Sequence, residues 1–205
     1  MRASPRCGVA APRLLGPDGA TQPNAYRRFP GPLTLFAELC LPVGFLLDRV
    51  PRLDPYRHPP GFGGPVAHAT GAALAIRRAA YDAAGPFDEG YFLYLEETEW
   101  QRRVWSAGWT VEAVPGAEVV HLVRGGEEAD LAPSPWFLAS TRRYLGARPR
   151  WLVEGLIAVA LLGSRAFLAA MRAAIPGRRA LNRRRAAAWR ALWADRRRGP
   201  GERPA

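Results

Sequence analysis

Two adjacent glutamates, Glu96 and Glu97, stand in the run 91-YFLYLEETEWQRRVW-105, between a cluster of aromatics and a stretch with helical spacing. A carboxylate in the first turn of a helix is held ionised by the unpaired N–H groups and the helix dipole. On an inward face, such a carboxylate can accept the proton of a substrate hydroxyl. With the helix beginning near Leu95, Glu97 shares a face with Trp100, Val104 and Gly108, while Glu99, Arg102 and Arg103 lie opposite. Glu99 can pair with both arginines at i+3 and i+4, which accounts for it without chemistry. Glu97 is therefore the candidate general base, with Glu96 as its neighbour. The alternative for both is that they merely complement the helix dipole, as acidic residues at such positions often do. His121 ends the strand-like run 117–122.

The elements that must position these groups are legible in outline. Residues 33–47 read as a helix that Pro42 ends or kinks. Residues 51–65 carry five prolines and three glycines and read as loop. A short strand is expected near Arg13–Leu15, followed by an irregular, extended stretch around the turn at Pro17-Asp18-Gly19. Ala72–Ile76 has strand length, and Arg77–Ala84 reads as a helix stopped by Gly85-Pro86. A second helix covers 95–107 and ends at Gly108; strands follow at 109–115 and 117–122. Asp88 is read as a turn residue and Trp109 as an aromatic core residue. Strand–helix–helix–strand order predicts an α/β or α+β layer domain.

The charge is uneven. All 29 basic residues are arginine; residues 141–205 hold 16 of them against three acids, whereas residues 1–140 hold 13 against 15. The net charge of +11 belongs to the C-terminal third. Residues 151–175 are the most apolar stretch, yet only Gly155 to Ser164 is free of charge, which is short of the roughly 20 residues of a membrane span. Glu154, Arg165 and Arg172 fall on one narrow stripe of that helix. A helix of this kind lies in a membrane interface, helped by the arginine-rich flanks, or packs into protein. No nucleic-acid reading module accompanies the basic tail, where only Trp189 and Trp193 offer stacking surfaces, so specific nucleic-acid binding is not expected. Cys7 and Cys40 lack CxxC spacing, which argues against a metal or redox motif and suits a reduced, cytosolic setting.

Taken together, Gly71 to Arg78, Gly85 to Glu89, Tyr91 to Glu97, Arg103, Ala107-Gly108-Trp109, Val114-Pro115 and Val119-Val120-His121 resemble the acceptor half of family 2 glycosyltransferases. The rhamnosyltransferase-like branch, with the GT-A fold, is the nearest, and the similarity runs over roughly residues 10–125. The resemblance implies an α/β chain with a partial GT-A (Rossmann-like) fold that lacks the N-terminal nucleotide-binding half and is followed by C-terminal helices. It implies inverting transfer of a sugar from a nucleotide-sugar donor to a hydroxyl of a glycan or lipid-linked acceptor, in polysaccharide or cell-envelope glycan synthesis. It makes Glu97 the base, where the family more often has the shorter Asp, with Glu96 beside it. Gly71 and Ala72 fall where the backbone meets substrate, and His121 near where, in some proteins of this fold, a histidine helps bind the divalent metal, Mg²⁺ or Mn²⁺; a neutral imidazole suits that role, and the alternative is a bond to neighbouring backbone. No Asp-x-Asp motif for that metal occurs in the chain. Residues 1–130 are thus expected to be the acceptor-side part of the domain, 131–176 an amphipathic, membrane-associated helical region, and 177–205 a poorly ordered arginine-rich tail. The missing half would be a separate chain, or the product is truncated and inactive alone, with an unpaired sheet edge and poor solubility. The expected location is cytoplasmic, peripheral on the inner face of the cell membrane. The competing reading is a non-catalytic, membrane-associated remnant or subunit that uses the apolar helix and the arginine-rich tail.

Overall fold

A computed structural model describes residues 4–50, 53, 54, 56–59, 61–122 and 134–174. The boundary expected near residue 130 and the tail 177–205, with Trp189 and Trp193, lie outside these residues. The chain divides into two units, residues 1–29 with 54–124, and residues 30–53 with 125–205.

The first unit is a mixed α/β layer. Its main sheet has four strands in the order β3-β6-β1-β5, where β1 is Cys7–Leu15, β3 Gly64–Val66, β5 Ala75–Ile76 and β6 Thr110–Val120. The central pair, β1 and β6, is parallel; β3 and β5 flank it antiparallel. A two-stranded ladder joins β2 (Tyr26–Arg27) to β4 (His68–Ala69). Helix α3 (Arg78–Ala84) packs on β1, and helix α4 (Glu96–Ser106) packs on α3, β4 and β6. Between them lies one apolar core that includes Val9, Ala11, Val66, Trp100, Val104 and Val111. Phe87 stacks on the Trp100 indole at 4.9 Å.

Packing of α3 on β1 is close enough to dictate a glycine. A Cβ at Gly8 would fall 2.7 Å from the Cβ of Ala80 and 2.8 Å from that of Trp109. Gly108, at φ +84°, supplies the left-handed residue that ends α4, as its position in the sequence predicts. Asp88 is a turn residue as expected, its carboxylate accepting the Gly90 N–H.

Several expected boundaries move. The strand expected at Arg13–Leu15 begins six residues earlier, at Cys7. The two strands expected at 109–115 and 117–122 are one strand, β6. Pro12 faces Val114 but Arg13 faces Glu118, so Pro115, Gly116 and Ala117 form a bulge inside a continuous ladder. A bulge is where a sheet accommodates proline, which has no N–H to give. The strand expected at Ala72–Ile76 shrinks to Ala75–Ile76, because Gly71 to Ala73 turn the chain out of β4. Within the loop expected at 51–65, Gly64 already starts β3.

The second unit is helical among the described residues. The helix expected at 33–47 is two helices, α1 (Pro32–Leu39) and α2 (Leu41–Arg49), broken at Cys40 rather than kinked at Pro42. Pro42 sits in the first turn of α2, where a missing N–H costs nothing. Helix α5 (Pro135–Tyr144) is capped by the Ser134 hydroxyl, which accepts the Phe137 N–H. Helix α6 (Arg150–Ala174) packs against α1 and α2. The buried Ser164 hydroxyl of α6 accepts the Leu41 N–H at 2.8 Å and so closes the break between α1 and α2. Glu154 is paired with Arg142 of α5 at 2.8 Å, which removes it from the exposed stripe expected of it. Both cysteines are free and buried.

Candidate functional site

The chain enters α4 through an unusual turn. Tyr94 and Leu95 both adopt left-handed backbone, at φ 69° and 65°. Each such non-glycine residue costs roughly 1–2 kcal/mol. Leu95, 5 % exposed, is driven into the core and fixes the turn, while Phe92, Leu93 and Tyr94 remain largely at the surface. The turn delivers Glu96 and Glu97 as the first two residues of α4.

Helix α4 is held in place by its other face. The Gln101 side chain behaves as a strand would: its Oε1 accepts the Ala69 N–H at 2.8 Å and its Nε2 donates to the Ala69 carbonyl at 2.7 Å. One turn earlier, the Thr98 hydroxyl lies 3.4 Å from Nδ1 of His68, whose Nε2 is 3.3 Å from the Tyr56 hydroxyl. Burial, reinforced by the charge of Arg27, pushes the His68 pKa down to about 3, so this ring is neutral and structural at ordinary pH. Trp100 Nε1 donates to the Gly85 carbonyl at 2.8 Å. Arg103 forks onto the Glu99 carboxylate at 2.9 and 3.0 Å and also reaches the carbonyls of Ala84 and Pro86. The pairing of Glu99 with Arg103 is thus as expected. Arg102 has its guanidinium over the Phe29 ring at 5.3 Å. Trp100 and Val104 are fully buried, as the helical spacing predicts.

Glu97 is therefore anchored from both sides of its helix. Its Oε2 is buried and has no hydrogen-bond partner among the described residues, and the same holds for Oε2 of Glu96. Burial raises the Glu97 pKa above the ordinary glutamate value, and the neighbouring charge of Glu96 raises it further. Hydrogen bonds with the backbone of Glu97 and Gly71, and the positive charge of Arg27, act in the opposite direction. The result is a carboxyl group with a vacant oxygen and an enhanced affinity for a proton.

Gly71 and Glu97 come together as expected. A Cβ on Gly71 would lie 3.4 Å from Cβ and Cγ of Glu97, which is ordinary contact, and its φ is not positive. Sterics alone do not require glycine there. Its lack of a side chain leaves the carboxyl group beneath an exposed stretch of backbone, since Gly71 and Ala72 are both exposed.

His121 follows β6, and its N–H donates to the Leu15 carbonyl at 2.8 Å at the same end of the sheet. Its ring Nδ1 is 3.0 Å from Oε1 of Gln22. Among the described residues no three His, Cys, Asp or Glu side chains cluster as a metal site. As a single ligand, the His121 imidazole fits: one ring nitrogen is committed to Gln22 and the other has no partner among the described residues.

Residues 21–25 link the two ends of this arrangement. Gln22 donates its N–H to the Leu14 carbonyl and its side-chain amide to the His121 carbonyl. The Asn24 carbonyl accepts the Thr70 hydroxyl at 2.6 Å, immediately before Gly71. Gln22 and Asn24 are separated by about 7 Å of extended chain at most. Gln22, His68, Thr98 and Gln101 were not singled out in the sequence. Their side-chain partners are 12 to 99 residues away, and no local pattern marks them.

No protein-family model matches the chain. Over 125 residues, 57 % of its length, it is 33 % identical to N-acetylglucosaminyl-diphospho-decaprenol L-rhamnosyltransferase of two Mycobacterium tuberculosis strains, CDC 1551 / Oshkosh and ATCC 25618 / H37Rv. The match spans 38 % of the length of those relatives.

Proposed function

We propose that this rhamnosyltransferase-like chain is the acceptor side of an inverting glycosyltransferase with a GT-A fold, and that Glu97 is its general base. The observation that supports this best is the buried, unpartnered Glu97 Oε2 in a carboxyl group of raised proton affinity, beneath exposed backbone at Gly71 and Ala72. A base whose pKa moves toward the working pH binds the transferred proton more strongly in the transition state.

In this reading the acceptor hydroxyl lies against Gly71 and donates its proton to Glu97 Oε2. The oxygen forms its bond to the anomeric carbon on the face opposite the departing nucleoside diphosphate, so the configuration inverts. Glu96 keeps a second negative charge beside the base, which favours its protonated state. A bound Mg²⁺ or Mn²⁺ would neutralise the charge that develops on the diphosphate. His121 would hold it through one ring nitrogen.

The relatives' name suggests the substrates: a nucleotide-activated L-rhamnose and an acceptor of the N-acetylglucosaminyl-diphospho-prenol type. A prenol-linked acceptor would favour work at a membrane surface, and in this reading the enzyme sits on the cytoplasmic inner face. Among the described residues one helix, α6, is long and apolar enough over Arg150–Ala170 to cross a membrane by length and composition. That exceeds what its short uncharged run alone suggests. Its exposed side carries Trp151, Gly155, Val159, Leu162, Ala166 and Ala169, a largely apolar stripe with Arg165 beside it. This stripe also favours the second reading, a non-catalytic membrane-associated subunit.

The test is transfer of labelled L-rhamnose to N-acetylglucosaminyl-diphospho-prenol in vesicles, with the wild-type chain and Glu97→Gln. Loss of a general base lowers turnover by about 10²- to 10⁴-fold. Unchanged turnover in a folded Glu97→Gln protein removes Glu97 from the role. If the wild type shows no transfer and no calorimetric heat with UDP, GDP or dTDP plus Mn²⁺, the chain is not an enzyme by itself and the second reading stands.

A further inference from the structure

We infer that Gln22 is a positioning residue that locks His121 into the tautomer presenting Nε2 as a ligand for a divalent cation. The metal role of His121 rests on the function proposed above; the lock rests on geometry alone.

The amide of Gln22 contacts His121 twice. Nε2 of Gln22 is 2.9 Å from the main-chain carbonyl of His121, and Oε1 is 3.0 Å from the ring Nδ1. Only one amide orientation satisfies both. The carbonyl of His121 accepts and never donates, so the NH₂ group must face it. Oε1 then faces Nδ1, and because it too can only accept, Nδ1 must carry the hydrogen. In a neutral imidazole the lone pair is then on Nε2. Among the described residues Nε2 has no hydrogen-bond partner.

The lock is itself rigid. The Gln22 N–H donates to the Leu14 carbonyl at 2.8 Å, the His121 N–H donates to the Leu15 carbonyl at 2.8 Å, and Thr21 bridges to Leu15. Both partners are thus tied to consecutive residues at one end of β1, so the amide and the ring meet without a search through rotamers. A histidine that ligates a metal usually donates its other ring N–H to an acceptor that fixes tautomer and orientation and raises basicity; losing that acceptor costs about 10- to 100-fold in metal affinity. Gln22 supplies such an acceptor. His68 shows the contrast: Tyr56 and Thr98 occupy both of its ring nitrogens, leaving none for a metal.

Imidazole NMR of the 205-residue chain tests this directly. The ¹⁵N shifts of His121 are expected to report hydrogen on Nδ1, and its ring signals should broaden first as Mn²⁺ is added, with those of His68 persisting. In Gln22→Ala the tautomer should shift toward Nε2–H, and broadening at His121 should need about 10- to 100-fold more Mn²⁺. Unchanged His68 signals would show that the unit is still folded. Gln22→Glu keeps an acceptor for Nδ1–H and should retain the wild-type tautomer. Hydrogen on Nε2 in the wild type, or equal Mn²⁺ dependence in wild type and Gln22→Ala, overturns the inference and leaves the Glu97 base reading untouched. The expected tautomer without any Mn²⁺ effect at His121 overturns the inference together with the metal role of His121, while Glu97 is still judged by transfer.

Discussion

Replacing Glu97 by glutamine should make the protein more stable at neutral pH. The wild-type carboxylate is half-buried, one oxygen is wholly buried without a partner, and the charge of Glu96 adjoins it. Its folded pKa is raised, so the sign of the pH effect follows from linkage. Below the unfolded glutamate value both states hold the proton and no penalty arises. As pH rises through the folded value, the unfolded chain has already ionised, and folding must either keep a proton that solution no longer favours or bury a charge. Stability is thus lost on going from acid to neutral pH. An unsatisfied buried polar group costs about 1–3 kcal/mol, and more when it is charged. Opposing this, a carboxylate in the first turn gains about 0.3–1 kcal/mol from the helix dipole. Glutamine removes the charge but still leaves one amide group short of a partner, so the net gain should be near 1 kcal/mol. For a unit of this size that corresponds to a rise in Tm of about 4–8 °C. Thermal unfolding of wild type and Glu97→Gln at pH 7.5 and near pH 4 would show it. The difference should be clear at pH 7.5 and should shrink in acid. If Glu97→Gln is instead less stable at pH 7.5, the carboxylate serves the helix dipole and the reasoning from burial is wrong.

Other outcomes follow from the same contacts. Gln101→Leu leaves both the N–H and the carbonyl of buried Ala69 unpaired and should cost about 2–4 kcal/mol in urea unfolding. Gly71→Ala places its Cβ in ordinary contact with Glu97, so stability should change by less than about 1 kcal/mol, whereas transfer should fall because the acceptor approach is narrowed. Trp151→Ser with Leu162→Ser, at positions 77 % and 52 % exposed, should leave folding unchanged. The pair should weaken binding to vesicles by more than about 100-fold if both side chains enter the lipid at about 1.5–3 kcal/mol each. Sedimentation with vesicles measures that.

The parts of the site that sequence revealed are those governed by local periodicity. Helix α4, its inward Trp100 and Val104, the Glu99–Arg103 pair and the terminating Gly108 all depend on neighbours three to five residues away. Strand β6 was visible only as two pieces, since Pro115 and Gly116 carry the composition of a turn while the ladder continues around them as a bulge. The left-handed pair at Tyr94 and Leu95 leaves no mark in sequence, because neither residue type favours that backbone. Gln22, His68 and Gln101 are illegible for a different reason. Each acts through a partner that only the folded topology brings near, and a lone polar residue in a strand or helix has many harmless explanations.

The doubled bond between Gln101 and Ala69 has a consequence for redesign. Because a side chain on the second turn of α4 is keyed to a fixed rung of β4, the register of the helix does not depend on the connection that precedes it. The exposed loop residues Glu89, Gly90, Phe92 and Leu93 can then be recoded while the Glu97 carboxyl group stays where it is, provided Pro86, Phe87, buried Tyr91 and the Tyr94–Leu95 turn are kept. Under the proposed function, those positions are where acceptor preference would be exchanged by grafting, with the Glu97 geometry carried unchanged by the scaffold behind it.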